Sequence, residues 1–264
     1  SGDTYGSERV AAQYNSKSIS GLLAGKSYYI RVSVLDAEQN PAKVSEVIEA
    51  VTAPTGKVKN LKQTDAGKNT ISFMWDKAEG ANAYKIDWID YVDEQAAWGV
   101  WSHTKIGDAG TYKLSGLKNT TYCIWVFPAR KSASGYLACS SEYTQEFMRV
   151  LPGRVTGVKM FISGIKRFWP EWGVARFGWD KDKMAEGYQY VVYTSSGKKL
   201  FSEITKEYIN VEIKNNKLTN DQFLKIKVRG YINIGGGKKY GEWSNDCYFA
   251  KRPRNVKFLK ASGG

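Results

Sequence analysis

The chain has 264 residues, of which 42% are hydrophobic and 14% aromatic, and this composition excludes a disordered protein. It contains no run of 18 uncharged apolar residues, so it predicts no membrane-spanning helix, and its three cysteines are too few for a disulfide-stapled scaffold. The net charge of +13 lies almost wholly in residues 152–264, which carry +12, against +2 in residues 54–151 and −1 in residues 1–53. Such a basic region either binds an anionic polymer or is a solvated lysine-rich surface.

Residues 1–53 have the pattern of the second half of a β-sandwich. The stretch "YYIRVSV" alternates apolar and polar side chains, as a strand with one buried face does, and "SEVIEAVTA" predicts a closing strand. No tryptophan-bearing strand precedes them, so we expect Ile30, Val32 and Val34 to lack half of their core. We expect truncation of a longer protein to account for this pattern. The alternative is that the tail of another copy completes the unit by strand addition, which would build a head-to-tail filament.

Three prolines divide the chain at similar intervals. Pro54, Pro152 and Pro253 lie 98 and 101 residues apart, and each is followed by basic residues and an alternating apolar stretch. Proline ends one strand and allows another to begin, so these positions mark short linkers. The predicted organisation is an incomplete module at 1–53, complete modules at 54–151 and 152–252, and the first strand of a further module, or a tail, at 253–264.

The two complete modules repeat one phrase. Residues 73–84 read "FMWDKAEGANAY" and residues 177–188 read "FGWDKDKMAEGY", each with a tyrosine nine residues after the tryptophan. Alternating stretches such as "YCIWVF" and "LKIKVRG", separated by glycine-rich turns, predict short antiparallel strands in a sandwich. Large aromatic side chains on such strands usually pack in the core, and we expect this of Trp75, Tyr84, Tyr122, Trp179 and Tyr188.

These features resemble the fibronectin type III family. The tryptophan matches that family's second strand, the later tyrosine opens its third, and "SGLLAGKSYYIRV" and "SGLKNTTYCIWV" match its leucine–turn–tyrosine run. "KKYGEWSNDCYFA" is similar to its last strand, and "WDKAEGANAYKI" is particularly similar to modules of secreted and surface proteins of Gram-positive bacteria. The resemblance implies an all-β chain of tandem fibronectin type III-like (immunoglobulin-like) antiparallel β-sandwiches in an extracellular or cell-surface protein.

Two features of the third unit depart from the family pattern. Leu224 stands where the family has a tyrosine, so the tyrosine-corner hydrogen bond is expected to be missing there. The same unit carries an insert, "ISGIKRFWPEWGVA", between its first two strands.

The sequence contains no recognisable catalytic, cofactor-binding or metal-binding motif. His103 is the only histidine and has no cysteine near it, the cysteines lack C-x-x-C spacing, and "IGGGKK" lacks the P-loop pattern. Paired carboxylates for glycoside hydrolysis form in space and leave no signature of their own. We therefore expect no enzyme activity, no metal and no cofactor.

One candidate ligand surface lies on the second unit. If its alternating strand buries Ile124, then Trp125 faces outward near Trp98 and Trp101, and this set would stack on sugars or dock a protein. The alternative is packing against a neighbouring module or a covering loop. Cys123 and Cys139 flank a predicted hairpin at similar distances from its turn, so a cross-strand disulfide is an alternative to free thiols.

A second candidate surface lies on the third unit. Its outward strand positions are Lys225, Lys227 and Arg229, and its insert places Trp169 and Trp172 beside basic residues. Interleaved basic and aromatic side chains suit an anionic glycan or wall polymer. Nucleic acid is an unlikely partner, because the sandwich matches no recognised nucleic-acid-binding module.

The function favoured by these patterns is a non-catalytic spacer and interaction segment of a larger extracellular or cell-surface protein. Its partners would be a protein, a glycan or an anionic wall polymer. One alternative is a carbohydrate- or anionic-polymer-binding module attached to a glycan-degrading enzyme. Another is a filament subunit that associates head to tail by strand addition.

Overall fold

The computed structural model describes residues 6–91, 103–107, 110–161, 174–214, 217 and 223–249. Within these residues the chain is all-β, with twenty strands and no α-helix. All described strand pairs are antiparallel. The prediction of an all-β chain of antiparallel sheets is confirmed.

Residues 6–53 form two small sheets. The strands are β1 (Ser27–Ile30), β2 (Ser33–Leu35), β3 (Pro41–Val44) and β4 (Ile48–Val51), and β1 pairs with β4 while β2 pairs with β3. Tyr28 is buried, and its hydroxyl accepts a hydrogen bond from the amide of Leu23 at 2.7 Å. Val32 and Val34 are 67% and 60% exposed. Their apolar side chains therefore lie open to solvent.

The next unit is a two-sheet sandwich. Its strands are β5 (Lys59–Ala66), β6 (Ile71–Asp76), β7 (Ala83–Tyr91), β8 (His103–Gly107), β9 (Thr111–Leu114), β10 (Thr121–Lys131), β11 (Leu137–Cys139) and β12 (Thr144–Arg149). One sheet has the order β5-β6-β9, and the other has the order β8-β7-β10, with β11 and β12 both pairing to the far side of β10. Ile71, Phe73 and Trp75 point from β6 into a core shared with Ile86 and Ile124 of the second sheet. Every second side chain of β6 is thus buried between the two sheets, and these side chains hold the sheets together.

The third unit repeats this arrangement. Its strands are β13 (Lys159–Phe161), β14 (Val174–Gly178), β15 (Gly187–Thr194), β16 (Lys199–Thr205), β17 (Val211–Lys214), β18 (Leu224–Ile234), β19 (Gly237–Tyr240) and β20 (Cys247–Phe249). One sheet has the order β13-β14-β17 and the other β16-β15-β18, with β19 and β20 both pairing to β18. Along β18, Leu224, Ile226 and Val228 are buried and fill the core. The intervening side chains lie on the opposite face of the sheet.

The strand register rules out a disulfide between Cys123 and Cys139, the alternative that the sequence left open beside free thiols. Cys123 lies opposite Phe147 on β12, whereas Cys139 lies opposite Ala129 on β11, and all three cysteines are free thiols. Ala129 is six residues from Cys123, which corresponds to about 20 Å along a strand, far beyond the Cα separation that a disulfide spans. Burial raises the pKa of the Cys123 thiol to about 11. The symmetry about the turn was misleading, because the pairing partner of β10 changes from β11 to β12 after residue 139.

The predicted single last strand of the third unit is also wrong. It consists of two short strands, β19 and β20, separated by residues 241–246, which have no strand pairing. At this interruption, Ser244 replaces the ladder: its amide donates to the carbonyl of Val228 at 2.7 Å, and its hydroxyl accepts from the amide of Val228 at 3.0 Å. The interruption frees the neighbouring side chains for contacts on the outer face of β18.

Candidate functional site

The repeated tryptophan and tyrosine build the same structure in both sandwiches. Trp75 and Trp179 are each 3% exposed, and their rings meet Tyr84 and Tyr188 edge-on at centroid distances of 5.1 and 5.4 Å. Each of these tyrosine hydroxyls accepts a hydrogen bond from the main-chain amide six residues earlier, at 3.0 and 2.9 Å. The phrase therefore couples an aromatic core pair to the turn that leaves the tryptophan strand.

A second tyrosine closes the corner before the sixth strand of the second unit. The hydroxyl of Tyr122, a residue that is 2% exposed, accepts a hydrogen bond from the amide of Lys118 at 2.7 Å, as in a tyrosine corner. Tyr122 lies six residues before Pro128, which pairs with Tyr84, and Leu224 lies six residues before Gly230, which pairs with Tyr188. Leu224 is therefore the equivalent position in the third unit. Leucine has no hydroxyl, so this corner lacks that bond, as the sequence predicted.

Each complete unit thus has a sheet made from its first, second and fifth strands, packed on a sheet of the order fourth, third, sixth and last. Trp75 lies near the end of its second strand and Trp179 directly follows its own, and each tyrosine is the second residue of its third strand. The chain carries the fibronectin type III fold in tandem. This assignment rests on the strand order and on the aromatic pairs of each module.

Solved structures with this fold are similar to the chain at low identity. The two-fibronectin-type-III-domain segment of chicken tenascin is 12% identical, with 74% of this chain and 99% of that segment covered and a TM-score of 0.33. The FN1–FN3 domains of chicken CNTN1 are 14% identical, with 88% of this chain and 78% of that one covered and a TM-score of 0.40. No family model matches the chain.

The proposed apolar ligand surface of the second module is not open at Trp125. This side chain is only 6% exposed, and its indole N–H donates to Gln145 at 3.0 Å across the β10–β12 pair. Its neighbour on β7, Asp87, is fully buried and forms an ion pair with Lys85 at 2.8 Å. The expectation of an exposed Trp125 is wrong, because alternation along a strand shows which way a side chain points and not whether that face is covered. Trp98, Trp101, Trp169 and Trp172 lie outside the described residues.

The cations predicted on the third module lie on its outer face, but they are already engaged. Lys225 and Lys227 both contact the carboxylate of Asp246, at 3.2 and 3.0 Å. Partial burial opposes ionisation of Asp246, yet the hydrogen bonds and charges of these two ammonium groups lower its pKa overall. One carboxylate therefore offsets part of the positive charge of these two lysines.

Arg229 is held between two aromatic rings. Its guanidinium carbon lies 4.0 Å from the ring centre of Tyr240 and 4.2 Å from that of Trp243, and its Nε donates to Gln189 at 2.8 Å. Burial lowers the pKa of Arg229, although an arginine stays protonated at any physiological pH. The planar cation therefore fixes the two rings relative to the sheet.

Beside this stack is a shallow cavity of about 620 Å³, which we call the Trp243 recess. Its lining residues are Arg154, Lys227, Gly241, Glu242, Trp243, Ser244, Asn245 and Asp246. The guanidinium of Arg154 bridges Asn245 at 3.3 Å and Glu242 at 3.4 Å. The recess therefore presents hydrogen-bond donors and acceptors around one aromatic ring.

The second and third modules meet at a packed junction. Ala66 of β5 and Leu151 of the linker form an apolar cluster with Ile232 and Ile234 of β18, in which Ile232 is fully buried. Leu151 also donates its amide to the carbonyl of Gly67 at 2.9 Å. The linker is thus part of the interface rather than a free tether.

Pro152 continues the linker into the third module, where glycines make room for it. It is buried, and a Cβ at Gly241 would overlap its carbonyl oxygen, while a Cβ at Gly230 would lie 2.9 Å from its ring. The amide of Gly241 donates to the carbonyl of Gly230 at 2.9 Å. Any side chain at either position would push the linker away.

Ion pairs surround the apolar cluster. They join Asp65 to Lys239 at 2.9 Å, Lys68 to Glu242 at 2.9 Å and Arg149 to Glu186 at 3.2 Å. Hydrogen bonding from Lys239 lowers the pKa of Asp65, and hydrogen bonding from Lys68 lowers the pKa of Glu242. Each pair has one member in each module, so together they define one relative orientation.

The first unit also contacts the second. Arg130 of the second unit donates from its guanidinium to the hydroxyl of Ser27 in the first unit at 3.1 Å. The same guanidinium donates to the carbonyl of Gly80 in its own unit at 3.1 Å. Glu49 accepts a hydrogen bond from the amide of Ala133 at 2.6 Å, which lowers the pKa of its carboxyl group. Both junctions therefore combine charged side chains with main-chain contacts.

Sequence reasoning named Lys227 among the residues of the recess but missed the others, and it missed the contacts of both junctions. The sequence predicts one continuous strand through Tyr240, Trp243 and Asp246, whereas the structure interrupts it at Ser244, next to their contacts with β18. The only sequence signal for them was the unusual density of aromatic and charged residues in "KKYGEWSNDC".

In the described part of the chain, no three His, Cys, Asp or Glu side chains are grouped as metal ligands would be. No helix there is long and apolar enough to cross a membrane.

Proposed function

We propose that this chain is a non-catalytic spacer and interaction segment of a larger extracellular or cell-surface protein. In this proposal, the modules at 54–151 and 152–252 act as one rod whose orientation is set by their junction. The observation that carries the proposal is the packed and ion-paired contact between these two modules. The extracellular location is supported by the resemblance of the modules to those of secreted and surface proteins.

The apolar part of the junction supplies most of its stability. Burial of Ile232 and Ile234 against Ala66 and Leu151 removes apolar surface from water, which stabilises the docked arrangement. The docked Pro152 shortens the free linker to almost nothing. A flexible tether would instead leave the two modules to move independently.

The three ion pairs contribute orientation more than stability. Exposed pairs are worth about 0–1 kcal/mol each in water, because solvent and salt screen them. Their value here is geometric, since a rotation of one module against the other would separate opposite charges and bring like charges together. A spacer that presents binding surfaces at defined positions needs this type of junction.

Residual dipolar couplings of backbone amides test whether the two modules share one orientation. We expect a single alignment tensor to fit the couplings of both modules in the intact chain. The double variant Asp65→Lys/Lys68→Glu places like charges opposite Lys239 and Glu242, and we expect its modules to require separate tensors.

The matched control restores the charges in exchanged positions. Adding Lys239→Asp and Glu242→Lys to the double variant re-forms both pairs, and the single tensor should return. Separate tensors for the two modules of the unaltered chain would refute a fixed junction, and with it the proposed function.

A further inference from the structure

The Trp243 recess combines a rigid aromatic ring with both hydrogen-bond donors and hydrogen-bond acceptors. Arg229 stacks on one face of the ring at 4.2 Å, and within the described residues no ring or cation stacks on the other face. The indole is partly exposed and forms part of the recess wall. Because Arg229 is itself held by Gln189 and Tyr240, the ring loses little freedom when a ligand packs on it.

The polar groups around this ring include donors and acceptors. Asn245 offers an amide and is exposed, Arg154 offers guanidinium N–H groups, and Asp246 and Glu242 offer carboxylate oxygens. Planar bidentate groups of both kinds match neighbouring hydroxyls, each of which donates one hydrogen bond and accepts others. A pyranose ring has an apolar C–H face to lie on an indole and a rim of hydroxyls to meet such groups.

The charged side chains that line the recess carry two positive and two negative charges, those of Arg154, Lys227, Glu242 and Asp246. Lys227 contacts Asp246 at 3.0 Å, Arg154 contacts Glu242 at 3.4 Å, and Lys68 of the neighbouring module contacts Glu242 at 2.9 Å. An anionic ligand would have to approach both carboxylates, and a cationic ligand would have to approach the lysines and the arginine. A neutral ligand meets neither penalty.

We propose that the Trp243 recess binds a neutral saccharide, with one pyranose ring stacked on Trp243 and its hydroxyls bonded by Arg154, Asn245 and Asp246. The site is next to the junction, since Glu242 belongs to both. It is a different surface from the aromatic set of the second module, and it adds a ligand to the spacer role without depending on it.

The proposal is tested by calorimetric titration of the intact chain with defined saccharides. The neutral probes are cellohexaose, chitohexaose, xylohexaose and maltohexaose, and the anionic probes are heparin and polygalacturonate. We expect at least one neutral probe to bind, with an affinity that changes less than about twofold between roughly 0.05 and 0.5 M salt, because no net charge is neutralised.

Three variants separate the stacking ring from its surroundings. Trp243→Ala should weaken binding by at least about tenfold, and Asn245→Ala and Arg154→Ala should each weaken it by about two- to tenfold, as the loss of one hydrogen bond does. The last two side chains are exposed, so their removal leaves the Arg229 stack and the fold intact. Tyr248→Ala is the matched control, because this tyrosine is 65% exposed on β20 and does not line the recess.

Several outcomes would overturn the proposal. These are the absence of binding to every neutral probe, binding that survives Trp243→Ala, binding that Tyr248→Ala weakens as much as Trp243→Ala does, and binding unchanged by both Asn245→Ala and Arg154→Ala. Binding only to heparin or polygalacturonate, with an affinity that falls steeply as salt rises, would also reject it and point to the surrounding lysines instead.

Discussion

Replacing Ile232 with alanine should weaken both modules and not only the one that contains it. Ile232 is fully buried and packs with Ala66 and Leu151 across the junction. Three buried carbons at about 0.8 kcal/mol each, with a cavity contribution added, give a destabilisation of about 3–4 kcal/mol for the third module. Because two of its partners belong to the second module, we expect that module to lose about 1 kcal/mol as well, within the usual range for coupled neighbours.

Native-state hydrogen exchange read by mass spectrometry resolves the two effects. Peptides that contain β18 report the third module, and peptides that contain β6 report the second, so each free energy of opening is measured separately in one sample. The matched control is Ile204→Ala on β16, where the side chain is 45% exposed and a change within about 0.5 kcal/mol is expected. If Ile232→Ala lowers protection in β18 and leaves β6 unchanged, the reasoning that the junction stabilises both modules is refuted.

Three further predictions concern the cores and the junction. Trp75→Ala and Trp179→Ala should each lower the unfolding free energy of their own module by about 3–5 kcal/mol in denaturant titrations, with a smaller loss in the neighbouring module. If neither substitution lowers the unfolding free energy, the core role of these residues is contradicted. Tyr122→Phe should cost about 1–2 kcal/mol in the same assay, because it leaves a main-chain amide without its acceptor. The folded-state pKa values of Asp65 and Glu242 are depressed, so their contribution is present above their unfolded pKa and is lost as pH falls through the folded pKa, below about pH 4. Residual dipolar couplings should therefore require separate alignment tensors for the two modules in acid while both modules stay folded, and a single tensor down to about pH 3 would count against this.

Residue spacing was enough to identify the paired aromatic residues. A tryptophan on an alternating strand and a tyrosine nine residues later describe a local unit, strand–turn–strand, whose geometry is set within twelve residues. Trp75 and Tyr84 meet edge-on as Trp179 and Tyr188 do, and the angles of 67° and 68° are nearly the same. Local sequence is sufficient in such cases because the partners are neighbours along the chain.

The candidate ligand surfaces were harder to predict, for two different reasons. For Trp125 the predicted direction of the side chain was right, but the strand pattern does not show that this side chain is buried by its neighbours. For Lys225, Lys227 and Arg229 the exposed face was right, but the partners that occupy them come from a segment that sequence placed in a regular strand. Within that segment the amide and hydroxyl of Ser244 both bond to Val228 where the strand ladder is interrupted.

The sequence by itself determined the fold class, the tandem repeat and the faces of the strands, because period-two alternation, turn residues and aromatic spacing act over a few residues. Only the tertiary structure decided how the cysteines are placed, which charges are paired and how neighbouring modules dock. Those features depend on register and on contacts such as Asp65 with Lys239, which are far apart in the chain. Their energies arise from burial and charge proximity in three dimensions, and a linear pattern does not contain that information.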